Sequence, residues 1–392
     1  MARRNIETGF WATCKREVHR LYSRPLYLFC MIIAPLFSAI FFTTLMKEGL
    51  PNHLPVAAVD LDQTSTSRKI LRNLNSFQQT KIVDHYNSIE EARRAMQRGE
   101  VYGFFYLPRG LSEQAQSQKQ PTLSFYTNNS FLVAGSLLFK DMKTMGELAA
   151  GGAARTVLYA KGASEQQAMA ILRPISIDTH PLNNPWLNYS VYLSNTLIPG
   201  VLCLMILMVT VFSIGVEIKE GTSRQWLRTG NRSIFTSLMG KLFPQTVIWM
   251  IMGGFILTYL YGYLSFPCND GIGPMILGML GLILASQGLA IFMYGVTPIL
   301  RLALSSASLW GVLSFSITGF SFPVMAMHPT LQALSNLFPL RHYFLIYVNS
   351  ALNGYSMEYA WSNYVAMLIF MALPFLVLNR LKTALVYYKH MP

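Results

Sequence analysis

Charge is scarce in this chain. Only 12% of its 392 residues are Asp, Glu, Lys or Arg, against about 25% in a typical soluble domain, and 52% are hydrophobic. A chain with so little polar surface cannot be wholly soluble. Basic residues outnumber acidic ones by 31 to 18, but many stand beside apolar runs, where such residues fix membrane orientation. The positive charge therefore indicates a membrane protein, and no nucleic-acid partner is expected.

The motifs of catalysis and of nucleotide binding are also missing. The phosphate-binding pattern G-x-x-x-x-G-K-[ST] does not occur, because Gly240-Lys241 lacks both the earlier glycine and the following hydroxyl. His53, His85 and His180 are isolated, and no Ser/His/Asp or HExxH pattern is present. We therefore expect no catalytic residue in this chain, and any energy from ATP has to come through a partner.

Neither a metal site nor a disulfide framework is indicated. No pair among the four cysteines has the spacing of metal ligands; they are Cys14, Cys30, Cys203 and Cys268. Asp60 and Asp62 could hold a cation, but a turn at the end of a strand is favoured over that alternative. We expect no metal and no cofactor bound by this chain.

Long apolar runs are abundant, and six of them have the length of about 20 residues that a membrane helix needs. They lie near residues 26–46, 191–215, 243–264, 274–296, 302–322 and 361–380. A further apolar stretch within 323–355 is broken by Pro329, Pro339, Arg341 and His342. It predicts an external re-entrant or interfacial hairpin before the last span.

The basic residues predict that both termini are cytoplasmic. They are concentrated in the N-terminal segment 1–25, in the loop 216–242 and in the tail after the last span. Lys and Arg favour the cytoplasmic side in short loops, whereas long loops cross the membrane regardless of their charge. The long segment 47–190 is therefore expected outside the cytoplasm.

Residues 47–190 have the pattern of a folded α/β domain. The predicted strands span 55–59, 101–107 and 122–127, and a helix is predicted over 88–99. A long helical stretch from Phe131 to Leu172 follows, with a break expected at Gly151-Gly152.

The predicted fold class is an α-helical polytopic membrane protein with an inserted α/β extracytoplasmic domain. It has six transmembrane helices, an N-terminal interfacial helix and a re-entrant hairpin. The expected segments are the interfacial helix (1–25), the first span (26–46), the external domain (47–190) and the remaining spans (191–392).

Two segments on the cytoplasmic side could meet a partner. The first is an amphipathic helix within 1–25 that lies in the membrane surface, either as a simple anchor or as part of a docking surface. Its apolar residues are Ile6, Phe10, Cys14, Val18 and Leu21, and its cations, facing elsewhere, are Lys15, Arg16, Arg20 and Arg24. The second is the charged element from Glu217 to Thr229, which could transmit force to two spans or could be an ordinary solvated loop.

Five stretches, in order along the chain, carry a family resemblance. They are Arg16-Glu17 through Arg24-Pro25 and Pro35, the run PVAAVDLD at 55–62 with Ser65 and Ser67, Gly99 through Gly110, Glu217 through Thr222, and FPLRHYF at 338–344. Together they resemble the type-2 family of ABC transporter permeases, specifically the bacterial multidrug-exporter branch with a large external domain after the first span. One departure is that Val216 and Ile218 flank Glu217, where the family usually places Arg. The charge pairs around this loop are therefore expected to differ.

The resemblance implies a dimer of permeases, homodimeric or heterodimeric, with a cytoplasmic ABC ATPase that uses ATP and Mg²⁺ on each subunit. The residues expected to couple to the ATPase are Glu217, Glu220, Gly221, Thr222, Trp226 and Leu227. Spans two and five are expected to line the substrate path, with Asn195, Thr196, Leu202, Met205, Phe315, Thr318 and Phe322. Other expected partners are membrane lipid and, in some systems, a membrane-fusion adaptor with an outer-membrane channel.

The expected function is thus the permease subunit of an ATP-driven exporter in the bacterial inner membrane, moving a hydrophobic or amphiphilic compound such as a drug-like molecule or a lipid. One alternative is a transmission protein that converts ATP hydrolysis into work on an external partner without transport. A second, a membrane-anchored enzyme with its catalytic part in 47–190, is disfavoured by the missing catalytic residues.

Overall fold

The computed structural model describes residues 8–117, 119–173, 177–185 and 187–388. It contains two compact units, one formed by Glu48–Pro181 and one by Met1–Lys47 together with Leu182–Pro392. The second unit begins with α1 (Phe10–Ser23), followed by α2 (Pro25–Leu28), a π-helical turn (Phe29–Ile33) and α3 (Ala34–Leu45). Pro25 is tolerated at the first position of its helix because that position needs no backbone N–H donor. Ile6, predicted on the apolar face of α1, lies outside the described residues.

The unit Glu48–Pro181 is a four-stranded sheet flanked by helices. Its strands are β1 (Leu54–Asp60), β2 (Thr80–His85), β3 (Gly103–Leu107) and β4 (Ser124–Thr127), in the order β2-β1-β3-β4 with only β4 antiparallel. Its helices are α4 (Ser65–Asn75), α5 (Ile89–Gln97), α6 (Leu111–Gln116), α7 (Leu132–Ala160) and α8 (Glu165–Leu172).

The continuous apolar run of β1 follows from its central position. Val56 and Ala58 pack into one core together with residues of α4 and α7, while Ala57 and Val59 pack into a second core that includes α5. A strand covered on both faces has no solvent side, so it carries no alternating polar residues. At its end, Asp60 accepts hydrogen bonds from the backbone N–H of Asp62 (3.0 Å) and from the Ser67 hydroxyl (2.7 Å), so its carboxylate closes a turn.

This unit differs from the prediction in the number of its elements and in the length of α7. Strand β2 and helices α4 and α6 were not predicted, and α7 continues through Gly151-Gly152, where a break was expected. Each glycine costs about 1 kcal/mol in a helix, which a helix of 29 residues tolerates. The chain instead leaves the helix near Gly162, whose φ of +84° lies in the left-handed region that glycine adopts without strain.

The remaining helices belong to the second unit. They are α9 (Tyr189–Lys219), α10 (Ser223–Thr229), α11 (Ile234–Leu257), α12 (Gly273–Val296), α13 (Leu300–Ile317), α14 (Pro329–Ser335), α15 (Pro339–Ile346), α16 (Trp361–Ala372) and α17 (Leu378–Tyr387). Two π-helical segments, Thr258–Tyr263 and Tyr347–Leu352, extend α11 and α15, and short 3₁₀ helices cover Val324–Ala326, Met357–Ala360 and Leu373–Leu376.

Within the described ranges, six helices are long and apolar enough to cross a membrane. They are Pro25–Leu45, Tyr189–Lys219, Ile234–Tyr263, Gly273–Val296, Leu300–Ile317 and Met357–Leu376, referred to below as spans one to six. Together with the small sheet they confirm the predicted fold class. Helix α9 lies at the centre, with α12 and α13 packed against it. Small residues permit close packing of this bundle: a Cβ on Gly288 would lie only 2.3 Å from the carbonyl oxygen of Phe370.

Spans two and three reach further into the segment 216–242 than the sequence indicated. Helix α9 continues to Lys219 and α11 already begins at Ile234, which leaves residues 220–233 as the connection. In the segment 323–355, α14 and α15 have seven and eight residues, so each is far too short to cross a membrane.

Candidate functional site

The connection between spans two and three is a tight helical turn. Gly221 ends α9 with a φ of +68°, and the N–H groups of Gly221 and Thr222 donate to the carbonyls of Ile218 (3.1 Å) and Glu217 (2.9 Å). This arrangement satisfies carbonyls that the end of a helix leaves unpaired. Helix α10 follows at once, so its position is tied directly to the end of span two.

A buried carboxylate, that of Glu217, lies at the centre of this region with none of its side chain exposed. Arg16 of α1 binds it through two hydrogen bonds of 2.8 Å each, and Arg20 of α1 also donates to it. The Lys241 ammonium of α11 donates at 2.9 Å, and the Thr222 hydroxyl at 2.5 Å. One acidic side chain thus connects α1, span two, the turn and span three.

Lys241 links this carboxylate to a second one. Its ammonium also donates to Glu17 of α1 at 2.7 Å and lies 4.9 Å from the centre of the Trp226 ring. The other Glu17 oxygen accepts from the Gln245 amide at 2.9 Å. Lys241 and Glu17 are buried as completely as Glu217, so in this low-dielectric surrounding each charge needs its partners.

Towards the surface the cluster ends in a half-exposed part. Glu220, 35% exposed, accepts from Arg20 and from Arg24, the latter with a closest N–O distance of 2.6 Å. We call the whole set the ion-pair cluster; its members are the cations Arg16, Arg20, Arg24 and Lys241 and the carboxylates Glu17, Glu217 and Glu220. Four cations against three carboxylates leave one positive charge in excess.

Backbone contacts hold α1 in the same place. The Gly9 N–H, just before α1, donates to the carbonyl of Thr229 at the end of α10 (2.7 Å). Helix α1 also crosses α11 closely at Gly240, where a Cβ would lie 2.6 Å from the Thr13 Cβ and 2.9 Å from the Phe10 carbonyl oxygen. At the other side of α10, the Arg224 guanidinium donates to the Val386 carbonyl of α17. Helix α10 is therefore held by the first and by the last helix of the chain.

The structure corrects the expected orientation of α1 in part. Cys14 and Leu21 of the predicted apolar face are buried, whereas Val18 is 54% exposed. Glu17 and Arg20 were not expected on the packed face, yet both are buried, because they find partners of opposite charge on spans three and two. The packed face of α1 therefore carries apolar and charged residues together.

Trp226 and Leu227, both expected among the residues that couple to the ATPase, are buried in the chain. The Trp226 ring is fully buried under α11, with the indole N–H donating to the Ser237 carbonyl (3.3 Å), and Leu227 beside it is 5% exposed. Their side chains are therefore not at the surface of the connection. Gly221 and Glu220 are exposed or partly exposed at the turn, and the coupling role of the whole set stays a prediction.

Besides Glu220, the connection has exposed side chains that the sequence analysis did not select. Arg224, Gln225, Arg228 and Arg232 lie at its surface. Arg224 and Arg228 lie one turn apart on α10, a spacing that was visible in the sequence, whereas Arg232 follows the helix with a φ of +58°. The involvement of Glu17, Arg16, Arg20 and Lys241 had no comparable signal, because they lie more than 20 residues from Glu217.

The expected path residues of span two are mostly enclosed in the chain. Asn195, Thr196 and Leu202 are fully buried, and the Asn195 amide oxygen accepts a hydrogen bond from Tyr261 of span three (2.7 Å). In this conformation they face the interior of the bundle and no open channel. Met205 is partly exposed.

The expected path residues of span five have a mixed environment. Phe315 packs against Gly200 of span two, and Thr318 is buried, with its carbonyl accepting from Arg341 (3.2 Å). Phe322 lies beyond the end of α13 and is 52% exposed. Spans two and five are therefore in direct contact, but the structure does not gather the seven residues into one cavity.

We expect Glu217→Gln to lower the free energy of unfolding by about 3–5 kcal/mol, because it removes the anion that compensates buried cations. The unfolding of the purified chain can be measured by SDS titration in mixed micelles. Lys241→Met should cost a similar amount, and the double variant should cost clearly less than the sum.

The matched control for this series is Glu220→Gln. It changes the neighbouring, half-exposed carboxylate and should cost less than about 1 kcal/mol. Equal effects of Glu217→Gln and Glu220→Gln would contradict the central position of Glu217.

Comparison with known proteins identifies the family. A family model described as ABC-2 family transporter protein matches residues 25–379. This range contains all six spans and the whole connection between spans two and three, whereas α1 precedes it. A search among curated proteins found no match. Because the family model covers most of the chain, this protein belongs to the ABC-2 family of transporter proteins, as a membrane-spanning permease component of an ABC transporter.

Proposed function

We propose that this chain is the permease subunit of an exporter that moves a hydrophobic or amphiphilic compound out of the cytoplasm or the inner membrane. The energy comes from ATP and Mg²⁺ used by a separate ABC ATPase on the cytoplasmic side. The observation that supports this proposal most is the ion-pair cluster, because it joins α1 to two membrane spans through buried charges directly beside α10.

The cluster suits the transmission of a mechanical load. Glu217 lies at the end of span two, Lys241 lies in span three, and α10 is between them. Separating span two from span three or from α1 would pull buried opposite charges apart, which costs several kcal/mol. Helix α10 carries none of these charges, but its Trp226 ring lies 4.9 Å from the Lys241 ammonium, and its indole N–H donates to the Ser237 carbonyl of α11. A push on α10 therefore reaches span three through Trp226, and the cluster passes it on to span two and α1.

The surface that meets the ATPase is basic in this proposal. Arg228 and Arg232 are exposed on the connection, while the acidic Glu217 is already neutralised inside the chain. A basic surface is complementary to an acidic groove and steers its partner in a salt-dependent manner. We therefore assign the docking contact to the exposed arginines and the transmission to the buried cluster.

The chemistry of the spans supports an apolar substrate. Between their terminal turns, the six spans contain one ionisable side chain among Asp, Glu, Lys, Arg and His: Lys241, whose charge is compensated by Glu17 and Glu217. Side chains that carry protons or bind ions within a membrane are usually ionisable. A neutral or amphiphilic compound that moves between apolar helix faces fits this lining.

Two permeases, identical or related, would form the path between them, in the bacterial inner membrane with both termini in the cytoplasm. A membrane-fusion adaptor and an outer-membrane channel would continue it.

Arg228→Glu with Arg232→Glu should weaken binding of the cognate ATPase by roughly tenfold, because both exposed cations become like charges for an acidic groove. Affinity can be measured by biolayer interferometry on the chain in nanodiscs, at low and high salt. Arg301→Glu, at an exposed residue in the first turn of span five, should leave affinity unchanged. An equal loss of affinity for the ATPase in Arg301→Glu, or no loss of affinity in the double variant, would refute the assignment of the docking surface.

Transport can be tested in proteoliposomes that contain the chain and its ATPase. We expect ATP-dependent movement of a hydrophobic fluorescent dye, which requires both chains and falls at least tenfold in Glu217→Gln while ATPase binding persists. ATP hydrolysis without movement of any apolar compound, but stimulated by an external protein, would instead identify the transmission protein that performs no transport.

A further inference from the structure

An apolar groove lies beside α1, on the side away from the ion-pair cluster. Its volume is about 790 Å³, within the range of about 300–1,000 Å³ that holds drug-sized molecules. One wall is α1, a second is the beginning of span one, and the third is span three. The lining residues include Trp11, Lys15 and Tyr22 of α1, Leu28 of span one and Val247 of span three.

The position of the groove in the chain places it at the membrane boundary. Helix α1 ends at Ser23 and span one begins at Pro25, so the groove is lined by the first turns of a membrane helix. Trp11 and Tyr22 on its rim are 74% and 92% exposed. Aromatic side chains of this kind are enriched at the level of lipid headgroups.

One cation at this groove is unpaired within the part of the chain that the structure describes. Arg16, Arg20 and Arg24 are bound to carboxylates of the cluster, but Lys15 makes no hydrogen bond or ion pair among the described residues. Behind it, the cluster has one cation in excess of its carboxylates. An apolar groove with a cation at its mouth matches a molecule with a long apolar chain and an anionic head.

We propose that this groove binds an anionic phospholipid of the adjacent leaflet, with one acyl chain between α1, span one and span three and its phosphate at Lys15. The lipid chain covers the apolar walls, and the headgroup compensates the positive charge. The lipid is then part of the surface on which α1 rests, independently of any transported compound.

Quenching of Trp11 fluorescence by brominated lipids tests this proposal directly. The chain is reconstituted in phosphatidylcholine vesicles that contain either brominated phosphatidylglycerol or brominated phosphatidylcholine at the same low fraction. The signal of Trp11 is the difference between the wild type and Trp11→Phe. We expect a relative affinity for phosphatidylglycerol of about fivefold, the preference that one Lys at an anionic membrane surface provides.

Substitutions of Lys15 distinguish a specific site in the groove from general electrostatic attraction between the protein surface and anionic lipid. Lys15→Gln should bring the relative affinity close to one, Lys15→Arg should keep it, and Lys382→Gln, an exposed lysine outside the groove, should keep it as well. Val247→Phe narrows the groove and should reduce quenching by both lipids. Unfolding by SDS titration verifies that each variant folds.

Three results would overturn the proposal. Equal quenching by the two lipids in the wild type would show that acyl chains enter the groove but that the groove does not select the anionic headgroup. An equal loss of the relative affinity for phosphatidylglycerol in Lys15→Gln and Lys382→Gln would show that the preference comes from general electrostatic attraction to the membrane surface. Absence of any Trp11 quenching would show that something other than lipid, such as a second copy of the chain, covers the groove. None of these measurements involves the ATPase or a transported compound.

Discussion

The end of the bundle that contains α1 and α10 depends on one constraint, the compensation of a carboxylate that has no access to water. Glu217 is fully buried at the end of a membrane helix, and such a charge is tolerated only with cations and hydrogen-bond donors around it. The partners come from α1, from the turn after α9 and from α11. This requirement fixes where α1 lies, which of its faces is packed and how α10 is held.

The fold class and the family could be predicted from the sequence, because both depend on local patterns. Six apolar stretches of sufficient length indicated the fold class, and a chain-long set of motifs indicated the family. The ends of spans two and three were less predictable. Glu217 and Lys241 mark the end of an apolar run in sequence, but both helices continue through them, because the two charges neutralise each other.

The candidate site was predictable only in part, because its contacts join residues that are far apart in the sequence. The loop after span two was selected correctly as a charged helical element, but burial of Trp226 depends on α11, which the loop sequence does not describe. Similarly, Asn195 has the polar character of a path residue, yet its amide is used by Tyr261 of another span. The cations missing beside Glu217 in the loop are supplied by Arg16 and Arg20, about 200 residues earlier in the chain.

If the ion-pair cluster transmits force, α1, α10 and the ends of spans two and three move as a single body. Spin labels at His19 of α1 and Gln225 of α10, both exposed, report the rigidity of this body by pulsed electron resonance with the ATPase bound in nanodiscs. We expect one narrow distance distribution that is the same without nucleotide and with trapped ATP, and a broad one in Glu217→Gln. A distance in the wild type that changes between the two nucleotide states would contradict transmission through the cluster, because α1 would then separate from α10 during the cycle.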